Sequence, residues 1–425
     1  AQTGGGIAWF DAAQIINTVF ISNGASYGGG GLFSFTAAVS GSQFIGNHAI
    51  TGAGGLSTKL GGVLTNTDFI GNGATLGSGA LEAYILTITG GTFQGNHSDA
   101  DGGAIGLSGP GLVSGASFAG NSASGNGGAI FAGTFSNLTL RDSTLSGNHA
   151  GADGGGLRNQ GLLTLTNSTL SGNSAAGGGG LSNYQGQARL SFVTLSGNTA
   201  ITGGGLSQYA LIPGQTITLS ATILADSASG GNCDSSGGTV AIVSNNHNLS
   251  SDATCSAALS QPQDQNDTPA LLGALAANGG PTLTHLPASN SPAIDAAGTA
   301  GCPAFDQRGV ARPHPAAGSC DIGAVEVNEY KLYLPLAINT APAFITYRNF
   351  EIVPVSSTIK VGTTVIFNIE GGLHEPYSTT PPYNFDSGPN LGPGSTYAFT
   401  FNQAGTITLL CGYHANMTAT LVIEP

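Results

Sequence analysis

Residues 162–173 read LLTLTNSTLSGN, and the pattern in that stretch governs more than half of the chain. Leucine and threonine alternate at its start, so one face of an extended strand is apolar and the other polar. It closes on Leu170, three positions before Asn173. The same spacing recurs at Phe20/Asn23, Phe44/Asn47, Phe69/Asn72, Phe93/Asn96, Phe118/Asn121, Leu145/Asn148 and Leu195/Asn198, with Ile223/Asp226 as a degenerate ninth copy. Successive asparagines lie 24, 25, 24, 25, 27, 25 and 25 residues apart. Between them falls a motif of small residues ending in an apolar one: GGGI at 4–7, GGGL at 29–32, 154–157 and 203–206, and GGAI at 102–105 and 127–130.

Short strands of about three to five residues, tight Gly/Asn corners and a period near 25 predict an all-β chain that begins as a right-handed parallel β-helix solenoid over residues 1–250. Each period is one coil, stacked about 4.8 Å above the last. The recurring Phe, Leu and Ile are expected to form internal stacks. The asparagines are expected at corners where φ is positive or where a side-chain bond to the next coil is useful. Leucine-rich repeats have a similar period but need three regularly spaced leucines per unit and lack the GG-plus-apolar motif. His48, His97 and His149 each follow a repeat asparagine and read as exposed corner residues. The F-x-G-N and GG-[AG]-[IL] units resemble those of bacterial surface proteins with polymorphic-outer-membrane-protein-type repeats. That resemblance implies an extracellular or cell-surface rod and brings no activity with it.

Composition bounds the function. Only 7% of the 425 residues are charged, 70 are glycine, and nine Lys and Arg face 22 acids for a formal charge of -13. Nucleic-acid binding needs a basic stripe, and the sequence has none. No run of about 20 apolar residues marks a membrane span, and the chain begins inside the repeat pattern. Carbohydrate chemistry on the solenoid would cluster bases and acids on one face. Lys59, Arg141, Arg158 and Arg189 do not share one phase of the repeat. An enzyme is therefore not the expectation, and polysaccharide binding or cleavage stands behind a structural or adhesive role. N-x-[ST] sequons at Asn96, Asn137, Asn167, Asn248, Asn266 and Asn416 fit a glycoprotein.

Residues 251–326 carry SPAIDAAG (291–298), DQRGVARP (306–313) and CDIGAVE (320–326). These resemble the C-terminal module that closes bacterial β-helix surface proteins, which implies an irregular cap over the open solenoid end. Asp306, Arg308 and Asp321 read as an ion-pair network pinning that cap. Residues 327–343 read as a linker. Of five cysteines, Cys233 with Cys255 and Cys302 with Cys320 would each close a loop of about 20 residues and leave Cys411 alone, although four cysteines allow three pairings.

From residue 344 glycine thins and five alternating stretches appear, which predicts a small antiparallel β-sandwich. GGLHEPYS places His374 after a strand, and LLCGYHANMTATLVI places Cys411, His414 and Met417 in one loop. A thiolate, two imidazoles and a thioether form a soft mixed donor set that suits copper in both oxidation states. Met417 is the chain's only methionine. Residues 344–425 resemble the cupredoxins, amicyanin among them, through the Cys-x2-His-x2-Met spacing. The resemblance implies a cupredoxin-type sandwich and one type 1 copper (Cu+/Cu2+), with His374, Cys411 and His414 as strong ligands and Met417 axial. Two departures stand out: Tyr413 precedes the second histidine where Pro is common, and Glu375 follows the first where Asn is common. The expected role is one-electron transfer with a redox protein partner, outside the cell or at a bacterial cell surface, with self-association of the rod as a further expectation.

Overall fold

The computed structural model describes residues 4–211, 213–237, 242–314, 318–327 and 343–425. The chain forms two compact units, Ala1–Asn328 and Glu329–Pro425. All but the end residues of the expected linker 327–343 lie outside the described residues.

The first unit is a parallel β-solenoid. Its strands pair in parallel with their counterparts one repeat away, in a 25-stranded and a 6-stranded sheet. Register aligns the repeat in columns: Phe44 lies opposite Phe69, Phe69 opposite Phe93 and Phe93 opposite Phe118. From Phe20 to Phe118 the rings stack with centroids 4.6–4.9 Å apart, one ring per coil. Leu145, Leu170 and Leu195 continue the column. The next coil departs from the sequence reading, because Leu224, not Ile223, sits opposite Leu195. Ile223 instead joins a second apolar cluster with Ala293 and Ile322, so burial against that later segment sets the register.

Most of the described solenoid strands are as short as expected, two to five residues, but five run to nine or ten. Leu162–Ser171 and Gln187–Ser196 span ten residues each, because pairing continues around a corner. That corner takes a positive φ at Asn17, Asn66, Asp142 and Asn167 and at Gly41, Gly90 and Gly115, residues that tolerate the left-handed region. The repeat asparagines hold a different position. The residue before each is the one with positive φ, as at Gly46, Gly71 and Gly95.

What the repeat asparagines supply is a buried ladder. Asn72 donates both its backbone N–H (2.9 Å) and its Nδ2 (3.0 Å) to Asn96 Oδ1, and donates again from Nδ2 to Phe44 O at 2.8 Å. The same set repeats from Asn47 through Asn173. Each amide thereby uses its two donors and its acceptor inside the core. Asn96, whose sequon suggested glycosylation, is fully buried in this ladder, whereas Asn137 and Asn416 are exposed. His48, His97 and His149 lie exposed in a neighbouring column, His97 paired with Asp99 at 2.8 Å.

Cys255 and Leu259 complete the solenoid core at its far end, and Cys255 is disulfide-bonded to Cys233. The later part of 251–326 runs along the flank of the coils as a lateral strap. Thr144 Oγ1 donates to Leu283 O, Asn167 Nδ2 to Phe305 O, Thr169 Oγ1 to Gln307 Oε1, and Ala324 N–H to Thr194 Oγ1. The column of threonines at 144, 169 and 194 gives the strap its polar partners. Cys302–Cys320 closes a loop within it. Asp306 accepts N–H bonds from Arg308, Val310 and Glu326 and pairs with the Arg308 guanidinium, while Arg312 and Glu326 form a fully buried pair at 3.2 Å. Asp306 and Arg308 thus pair within the strap, and the Asp321 carboxylate accepts the N–H groups of Asp295 and Val327.

The second unit is a small cupredoxin-type sandwich. One sheet orders Glu351–Val353, Ala343–Arg348, Thr364–Ile369 and Thr396–Thr400. The other orders Ser356–Lys360, Thr418–Glu424, Gly405–Cys411, Pro376–Ser378 and Phe385–Asp386. The five alternating stretches resolve into seven strands, in part because Asn349 (φ 48) turns the first stretch into a hairpin, and Pro376–Ser378 and Phe385–Asp386 add two more outside them. Tyr347, Phe367, Phe401, Leu409 and Leu421 fill the core.

Asn121→Ala strands two buried Asn96 donors and leaves Asn148 Oδ1 with one fewer. At about 1–3 kcal/mol per unsatisfied buried group, chemical denaturation should show a loss of several kcal/mol. Asn137→Ala at the surface should change stability by about 0.5 kcal/mol or less. A pH dependence follows from Asp321. Burial pushes its carboxyl up to about 6 from 3.8, and Glu326 adds to the rise, while the Asp295 and Val327 N–H groups and Arg312 oppose it. The folded state then holds this proton more tightly than the unfolded one. Its contribution, about 3 kcal/mol at most, is present below pH 3.8 and is lost as pH rises through about 6. Unfolding free energies across that window should vary less in Asp321→Asn than in the parent.

Candidate metal centre

Alternation along Gly405–Cys411 points Ile407, Leu409 and Cys411 inward, which makes Cys411 the last buried position before the loop. That strand pairs with Pro376–Ser378, with Pro376 opposite Cys411, so His374 approaches from the neighbouring chain segment. His374 is fully buried, Cys411 is 3% exposed, and His414 is half-buried. His374 Nδ1 lies 3.4 Å and His414 Nδ1 3.5 Å from Cys411 Sγ. The three ligand atoms lie within 4.8 Å of one another, and among the described residues they are the one such group of three or more. Met417 is buried in the same apolar cluster as Cys411, and its N–H donates to His414 O at 3.0 Å. Cys411 is the free cysteine, while the other four form the disulfides Cys233–Cys255 and Cys302–Cys320.

The geometry suits a bound ion. First-row bonds of about 2.0–2.1 Å to imidazole nitrogen and about 2.3 Å to sulfur, opened to a tetrahedral angle, set nitrogen and sulfur about 3.5 Å apart. Gly371 O accepts from His374 Nε2, which fixes the tautomer and leaves Nδ1 as the lone-pair atom facing the thiol. Burial lowers the His374 pKa and nearby His414 adds to this, against the Gly371 carbonyl, so the neutral, ligating imidazole is favoured. Sulfur and nitrogen donors with a methionine buried in the same cluster make a His/Cys/His(Met) set that resembles a type 1 copper site.

Tyr347 and Phe350 help to build the site and carried no signal in the sequence, whereas Glu375 and Tyr413 stood out there as departures. Tyr347, fully buried, donates from its hydroxyl to Leu410 O at 3.0 Å and sets its ring edge-on to His374 at 5.8 Å. Phe350, 79% exposed, stands perpendicular to His414 at 5.1 Å. Glu375 lies against the ligand loop, where a Cβ at 412 would come 1.9 Å from its Oε2. Tyr413 clamps that loop: its hydroxyl donates to Asn390 Oδ1 (2.8 Å) and accepts the Asn390 N–H (3.1 Å). The next residue, Leu391, accepts the His374 N–H at 2.9 Å. A hydrogen-bonded path thus joins the two halves of the ligand set where a proline would otherwise stiffen the loop.

No protein-family model matches the chain, and no curated protein matches it. Among solved structures, a Cu-containing nitrite reductase from Thermus scotoductus SA-01 is similar at 27% identity over 20% of this chain, with a TM-score of 0.19, and the match spans 22% of that enzyme. A purple cupredoxin from Nitrosopumilus maritimus is similar at 22% identity over 19% of this chain and 99% of its own, TM-score 0.18. Amicyanin from Paracoccus versutus is similar at 22% over 20% of this chain and 82% of its own, TM-score 0.19. The copper reading rests on the side chains themselves.

Tyr413→Phe removes the clamp and no ligand. Hydrogen–deuterium exchange of the metal-free protein should show the His414 and Met417 amides exchanging about tenfold faster, the effect of losing one to two net hydrogen bonds.

Proposed function

We propose that His374, Cys411, His414 and Met417 hold one copper ion and that the domain carries single electrons to and from a redox protein partner. The observation that carries this reading is a buried free thiol within 3.5 Å of two imidazole nitrogens, one of them tautomer-locked, in a domain whose only methionine is buried beside it. Copper would supply the one-electron couple. The chain's part is to fix the donors, keep water from the sulfur and leave a short route to solvent at half-buried His414.

Two disulfides support an oxidising compartment, and with them an extracellular or surface setting for the solenoid, in line with the surface-protein resemblance of its repeats. In this reading the solenoid is a scaffold that presents the copper domain. No helix among the described residues is long and apolar enough to cross a membrane.

Titration of the purified protein with Cu(II) should give a single strong thiolate-to-copper absorption band that saturates at one equivalent, with an axial or rhombic paramagnetic signal of narrow copper hyperfine splitting. Cys411→Ser should abolish the band. Absence of the band in the parent protein would overturn the electron-transfer reading.

A further inference from the structure

Glu82 is a charge that the solenoid's own bonding does not use. It is half-buried in Leu81–Ala83, in a chain with few charges, and no hydrogen bond or ion pair within 4.0 Å of its carboxylate is found among the described residues. Burial pushes its carboxyl above the usual range, with Lys59 pulling it back from a distance. A half-buried carboxyl that stays open to the surface and has no protein partner among the described residues leaves its acceptor sites to a ligand's donors.

The surroundings have the shape for one. Register aligns Phe33, Ser57, Glu82, Gly106 and Phe131 in one outward column of successive coils. Two clefts of about 190 and 270 Å³ flank Glu82, which lines both, one reaching Tyr27 and the other Asp101 and Phe131. Together they span four coil intervals, about 19 Å along the solenoid axis. Gly106 keeps the floor low beside Glu82, since a Cβ there would come 2.2 Å from Ser78 Oγ. Tyr27, 52% exposed, and half-buried Phe131 offer ring surface towards the two ends.

We infer that this groove binds a neutral oligosaccharide lying along the solenoid axis, with Glu82 accepting hydrogen bonds from sugar hydroxyls at its centre. The groove's length suits several linked rings. Apolar sugar faces pack on Tyr27 and Phe131, and hydroxyls satisfy the carboxylate. Lys59 already supplies positive charge nearby, which disfavours a cationic ligand. The site is in the solenoid unit and stands whether or not the copper reading does.

The test is saturation-transfer NMR and calorimetry on the full chain with cellohexaose, mannohexaose and chitohexaose, and with spermine as a cationic control. One hexasaccharide should bind, with affinity falling about tenfold or more in Glu82→Gln, as expected for a charge-assisted hydrogen bond. Phe131→Ala should weaken the same ligand. Glu82→Gln should melt no lower than the parent, which separates lost binding from lost fold. The inference is overturned if none of the three sugars binds, if Glu82→Gln binds as well as the parent, or if spermine alone binds at Glu82.

Discussion

More than half of the molecule depends on one constraint: a parallel coil must satisfy its buried polar groups without water. The buried asparagine ladder does this. Each amide side chain accepts from the coil before and donates to the coil after, as Asn72 does between Asn47 and Asn96. The bonds repeat at one coil rise, and so do the phenylalanine rings beside them. Because the ladder is a chain of acceptors and donors, it fixes register as well as height. That is why the repeat holds near 25 residues while surface positions vary freely.

The copper-type site solves the opposite problem. A single location, not a repeated one, must hold four donors that would gain little from each other without an ion. Strand pairing brings Cys411 beside Pro376, the Gly371 carbonyl sets the His374 tautomer, and Tyr413 ties the ligand loop through Asn390 to Leu391. Tyr347 anchors the carbonyl just before the cysteine. Rigidity here comes from hydrogen bonds across loops, where the solenoid draws it from repetition.

Much of this was legible in the sequence because periodicity and donor chemistry are local signals. The 25-residue spacing, the Phe column, the alternation in the C-terminal strands and the His374, Cys411, His414 set all follow from residue type and position. The parts that were not legible depend on contacts between distant segments. Leu224 replaced Ile223 in the internal column because Ile223 is buried against Ala293 and Ile322. The strap along the threonine column at 144, 169 and 194, and the Tyr413–Asn390 bond 23 residues apart, leave no local pattern. The two positive-φ columns were merged in the sequence reading, since glycine and asparagine serve both corners and ladders.

X-ray absorption at the copper edge, on the full chain loaded with one equivalent, tests the central claim most directly. The account predicts one short copper–sulfur bond, two copper–imidazole nitrogens and no bound water oxygen. A first shell of oxygen and nitrogen atoms without the short sulfur would contradict it and place the metal somewhere other than the Cys411 site.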